Sequence, residues 1–138
     1  MAALLRALGI DDHRRAWPRD GWRGPDLAQF VPPAGTFDKY VYSTWTGTDL
    51  HQRLRGAGID TTIITGGETD VCVLATMLGA IDWGFRVILV TDAMCSSADE
   101  THDAMMNIYL HRFGEQVETV TTGILLDAWP GAARARAS

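Results

Sequence analysis

The feature that most constrains the fold is an unbroken apolar run, Val87-Ile88-Leu89-Val90, inside the segment Phe85 to Thr91. A strand with one wet face alternates apolar and polar residues, whereas a continuous run marks a strand covered on both faces, as in a parallel sheet. Around it, strand-like and helix-like segments alternate from Phe37 onward. Phe37 to Tyr42 reads as a short strand. Thr48 is placed to cap a helix through Arg55, with Leu50 and Leu54 on one side and Gly56 and Gly58 closing it. Thr61 to Thr65 is a β-branched run and reads as a buried strand. Val71 to Ile81 is apolar almost all round and predicts a deeply buried helix. Ser96 or Ser97 caps a helix to about Phe113, with Met105, Ile108 and Tyr109 on one face. Val117 to Thr121 is a last strand, and Ile124 to Trp129 a last helix, stopped by Pro130 and Gly131. Such alternation predicts parallel strands joined by right-handed helical crossovers, in a three-layer α/β/α sandwich with a mainly parallel sheet.

Residues 1–35 form a different stretch. Trp17-Pro18-Arg19-Asp20-Gly21-Trp22-Arg23-Gly24-Pro25 is too rich in proline and glycine for a regular period. A short amphipathic turn at Leu27 to Phe30 ends at Pro32-Pro33. This gives an irregular arm over 1–35, a core over 36–131 and a frayed tail over 132–138. The 138 residues suit one core. Net charge is −5, which argues against nucleic acid or an anionic membrane as a partner, since both require a positive field. No apolar run approaches the roughly 20 residues of a membrane span, and Met1 to Arg6 is too short for a secretory signal. Two cysteines, Cys72 and Cys95, are too few for a disulfide framework. The expected setting is cytoplasmic, with both thiols reduced.

Open α/β sheets carry their sites at the carboxyl ends of the strands, so the loops after Tyr42, Thr65 and Thr91 matter most. The one after Thr65 reads Gly66-Gly67-Glu68-Thr69-Asp70-Val71-Cys72. Two glycines permit unusual backbone angles, Thr69 is placed to cap the next helix, and Cys72 falls in that helix's first turn. Free N–H groups and the positive dipole end there favour a thiolate, and the same N–H groups suit an oxyanion. By position alone, Cys72 reads equally well as a small core residue.

The wider pattern tips that balance. Gly66 to Thr76 resembles the nucleophile loop of the isochorismatase-like cysteine hydrolases. Lys39, followed by Tyr42-Ser43 and Gly47-Thr48-Asp49-Leu50, resembles that family's lysine strand and helix cap, and Gly84 to Ala93 its next strand. The likeness runs from about Thr36 to Trp129. It implies Cys72 as nucleophile, Lys39 as the lysine that keeps the site electropositive, and a cis Gly67–Glu68 peptide. It also implies an oxyanion hole from the N–H groups of Glu68 and Cys72, and hydrolysis of amide-like carbonyls, such as nicotinamide or carbamoyl compounds, through an acyl-enzyme. The family assembles into dimers and larger oligomers, so a homo-oligomer is expected. The family's catalytic Asp ends a first strand that has no match here; the chain resembles a member lacking its first strand–helix unit. The alternative is therefore a non-catalytic, shortened member acting as an interaction or regulatory subunit.

Trp45 and Asp70 are weaker candidates for the substrate pocket, Trp45 by stacking on a planar amide, with core or interface packing its equal alternative. Trp17 and Trp22 read as interface anchors. His13, His51, His102 and His111 share no metal-ligand spacing, and neither a metal nor a cofactor is expected; His51 reads as lying on a solvated helix face. Nothing like G-x-G-x-x-G or GK[ST] follows Gly66-Gly67, which argues against a nucleotide.

Overall fold

The computed structural model describes residues 39–129. The chain divides into two compact units, Met1–Val41 and Tyr42–Ser138. His13, Trp17, Trp22 and the rest of the arm lie outside the described residues, as does the tail.

The second unit runs α1 (Leu50–Gly56), β1 (Thr61–Gly67), a π-helical turn (Thr69–Val73), α2 (Leu74–Asp82), β2 (Arg86–Cys95), α3 (Asp99–Arg112), β3 (Val117–Val120) and α4 (Thr122–Ala128). The strands stand in the order β1-β2-β3, and both ladders are parallel, Thr62 opposite Val87 and Val87 opposite Val117. The apolar run sits in the middle strand, as its lack of alternation requires. Val87, Leu89 and Val90 are buried there with Ile64, Val73, Met77, Ala80, Phe85 and Tyr109. With helices flanking a parallel sheet, this is the expected three-layer α/β/α architecture.

Several expectations need correction. The strand predicted over Phe37 to Tyr42 does not appear in its described part: residues 40–42 form bends and Lys39 has no regular structure. The Lys39 ammonium donates to the Val41 carbonyl two residues on, at 3.0 Å, and Tyr40, Val41 and Tyr42 are exposed. Extended chain becomes a strand only when a ladder takes its backbone groups, and these residues join none. β1 is less buried than its β-branched composition suggested. It ends the described sheet, and only Ile64 is buried while Ile63 is exposed. The helix predicted over Val71 to Ile81 buries a stripe, Val73, Met77 and Ala80, at helical spacing, and leaves Leu78 exposed.

The caps differ as well. The Thr48 hydroxyl donates back to the Thr44 carbonyl at 2.6 Å, and Asp49 precedes α1 without a side-chain cap. Ala98, not Ser96 or Ser97, precedes α3. β2 continues beyond Thr91 to Cys95. Gly58, at φ 73°, adopts the left-handed conformation expected beyond the end of a helix. At α4, the Thr121 hydroxyl accepts from the Ile124 N–H at 3.4 Å. Asp92 fixes the start of the same helix, accepting from the N–H and hydroxyl of Thr122 at 2.7 and 2.9 Å.

Candidate active site

The cysteine loop is built where β1 meets the far end of β2. The register slips between Ile64, opposite Leu89, and Gly66, opposite Met94, so extra β2 residues lie alongside the end of β1. Gly66 sits at φ 110°, a conformation that a side chain would strain. Gly67 pairs with Cys95, and a Cβ on Gly67 would lie 3.4 Å from the Cys95 sulfur. The chain then enters the π-helical turn Thr69–Val73, which holds Cys72 immediately before α2. π-turns cluster at functional sites. Cys72 is a free thiol, half-buried; Cys95 is free and exposed.

The turn is braced from α3 and from the β2–α3 connection. Thr69, fully buried, is the pivot. Its N–H donates to the Ser96 hydroxyl oxygen at 2.8 Å. Its hydroxyl lies 2.8 Å from His102 Nδ1. Its carbonyl accepts from the Tyr109 hydroxyl. Burial, and next the neighbouring Asp70 charge, push the Tyr109 hydroxyl well above its ordinary pKa, so it remains a donor. Ser96 Oγ donates onward to Asp70 Oδ1 at 2.6 Å. Glu68 Oε2 accepts from both the N–H and the hydroxyl of Ser97, each at 2.9 Å. The Glu68 carbonyl takes the N–H groups of Val71 and Val73 at 3.1 and 3.0 Å.

These contacts define what the loop's carboxylates can do. The Ser96 hydroxyl holds Asp70 below the ordinary carboxylate range; partial desolvation opposes it, while Thr101, the backbone and the charge of His102 add to the lowering. A carboxylate so held is a weak base. Glu68 is tied to Ser97. Both carboxylates of the loop are therefore engaged in shaping it.

Of the sequence-predicted site residues, Gly67, Glu68, Asp70 and Cys72 share this loop. Lys39 belongs to the first unit. Trp45 packs against the core. Its indole N–H donates to the Thr76 carbonyl at 2.7 Å, and its ring stacks on Phe85 at 5.4 Å between centroids. It also lines a shallow depression with Ser43, Leu78, Gly79 and Trp83, which contains none of the loop residues. His51, expected on a solvated face, is half-buried on α1, where no residue is buried, and stacks on the exposed Trp83 at 3.8 Å. Among the described residues no group of three or more His, Cys, Asp or Glu is placed to hold a metal ion, and no helix is long and apolar enough to cross a membrane. Sequence reading missed the bracing set of Ser96, Ser97, His102 and Tyr109. The one signal was the pair of hydroxyls closely following a predicted strand end, which also reads as a helix cap.

Comparison with known proteins places this geometry in a family. The isochorismatase domain model matches residues 6–121, and so takes in most of the arm as well as the core. The isochorismatase family protein YwoC of Bacillus subtilis is 36% identical over 100 residues, covering 68% of this chain and 53% of its own. Maleamate amidohydrolase of Pseudomonas putida is 29% identical over 105 residues, covering 72% and 49%. The crystal structure of pyrazinamidase/nicotinamidase from Streptococcus mutans superposes with a TM-score of 0.55 at 36% identity, over 61% of this chain and 45% of that one. The chain thus spans about half the length of the curated relatives it matches. By its family model and its relatives, the chain belongs to the isochorismatase family.

Proposed function

We propose that this chain is a cysteine-dependent hydrolase of a small amide or carbamoyl-type C–N bond, working through a covalent acyl-enzyme on Cys72. The observation that carries this reading is the placement of Cys72: in a braced π-turn at the carboxyl end of a parallel strand, directly before a helix. In the proposed reaction the Cys72 thiolate attacks the carbonyl carbon and forms a C–S bond. The N–H groups of Glu68 and Cys72, aligned by a cis Gly67–Glu68 peptide, receive the developing oxyanion. The C–N bond breaks as the nitrogen takes up, through water, the proton that the thiol gave up, and it leaves as the amine. Water then cleaves the thioester C–S bond, releasing the carboxylic acid and restoring the thiol. Asp70, held by the Ser96 hydroxyl, shapes the cysteine loop; the part of Lys39, in keeping the site electropositive, rests on the family resemblance alone. Relatives named as an amidohydrolase and a nicotinamidase support amide chemistry over other hydrolyses. No metal, cofactor or nucleic acid enters this reading. The proposed setting is cytoplasmic and the proposed assembly a homo-oligomer.

A test is turnover of a panel of small primary amides and carbamoyl compounds by the wild type and by Cys72→Ala. The expected result is hydrolysis by the wild type, and loss of all turnover with an unchanged melting temperature in the variant. Activity retained by Cys72→Ala would falsify the mechanism. The second reading, a non-catalytic subunit, is motivated by the sequence, which has no match for the family's catalytic Asp. It predicts a stable complex, an ordinary thiol at Cys72 and no hydrolysis of any panel member.

A further inference from the structure

We propose that Ser96 is the positioning residue for Cys72, a latch that holds the start of the cysteine turn and keeps the Asp70 carboxylate on the α3 side of the loop. The proposal rests on the reading of Cys72 as nucleophile and adds a residue that the family resemblance did not supply. Its basis is the two-sided contact of one hydroxyl. Ser96 Oγ accepts the Thr69 N–H at 2.8 Å and donates to Asp70 Oδ1 at 2.6 Å. It thereby fixes two successive residues of the turn, one of them fully buried, with Cys72 two positions beyond. Ser96 is itself placed by the extension of β2 to Cys95, whose ladder partner is Gly67. The cysteine turn and its latch thus grow from the ends of two paired strands.

Two consequences follow for the thiol. A fixed turn keeps the Cys72 N–H and sulfur in one arrangement, and small displacements of a reacting group are costly in rate. The latch also keeps a carboxylate from swinging toward the sulfur, where like charge would oppose thiolate formation. His102 and Thr101 face the same carboxylate, with Glu68 held alongside by Ser97. Ser96 is the hydroxyl that touches both the turn's backbone and its carboxylate.

The test is the rate of Cys72 alkylation by iodoacetamide at neutral pH, followed by mass spectrometry of the separate peptides that carry Cys72 and Cys95, in wild type, Ser96→Ala and Ser96→Thr. Ser96→Ala is expected to slow Cys72 about fivefold at neutral pH. Ser96→Thr, which keeps the hydroxyl, is expected to restore the rate. Wild-type behaviour in Ser96→Ala overturns the proposal, as does Ser96→Thr behaving like Ser96→Ala. If Ser96→Ala does not fold, Ser96→Cys keeps the shape and leaves the Asp70 charge in place, with a far weaker hydrogen-bonding group. It must then slow Cys72 by at least about twofold, and an unchanged rate overturns the latch. A wild-type Cys72 that reacts no faster than Cys95, with no amide turnover, contradicts the nucleophile reading itself, and the latch with it. That outcome is distinct from a failure confined to the Ser96 variants.

Discussion

At the scale of single residues, the fold depends on close approaches that composition does not announce. Gly79 lies under Trp45: a Cβ there would come within 2.2 Å of the indole Cδ1. The ring cannot move away freely, because Phe85 stacks on it and its N–H is bonded to Thr76. Gly79→Ala, normally favourable in a helix, is therefore expected to destabilise the protein by about 1–3 kcal/mol, seen as a lower urea midpoint. Tyr109→Phe leaves the buried Thr69 carbonyl without its hydroxyl partner and is expected to cost about 1–3 kcal/mol by the same measurement. Neither contact was legible beforehand. Cys72, Gly67, Glu68 and Asp70 were, because residue type and order suffice to mark a strand–turn–helix loop. Ser96 and Tyr109 were not, because they reach Thr69 across 27 and 40 positions of sequence, and such contacts exist only once the strands have paired.

At the scale of elements, period and composition predicted β2, the parallel crossovers and the helices on either side. They failed where tertiary surroundings decide. The β-branched run of β1 fits a buried strand and an edge strand alike, and the hydroxyls after β2 fit a cap and a latch alike. The strand expected around Lys39 fails because propensity supplies no ladder partner. The elements are also joined by carboxylates held below their ordinary range: Asp70 by Ser96, Asp92 by the Thr122 N–H and hydroxyl, and Glu118 by Arg86. A carboxyl with a folded pKa below its unfolded value contributes stability in full above the unfolded value. That contribution is lost as pH falls through the folded one. The melting temperature should therefore fall between about pH 5 and about pH 2. Asp92→Asn should make that fall shallower while lowering the plateau near neutral pH. An identical slope in the variant would remove Asp92 from the account.

At the scale of the whole molecule, the chain has the parallel α/β architecture of its family but matches about half the length of its curated relatives. β1 ends the described sheet with Ile63 exposed. The proposed homo-oligomer predicts a mass by light scattering of at least twice the 15.1 kDa chain. A 15.1 kDa monomer at assay concentration would contradict it. The central claim is that Cys72 is a working nucleophile, and the most direct measurement is the rate of its alkylation by iodoacetamide at neutral pH in the wild type, with exposed Cys95 in the same molecule as reference. The account predicts that Cys72, although half-buried, reacts about tenfold faster than Cys95. A Cys72 that reacts no faster than Cys95, or does not react, would contradict it.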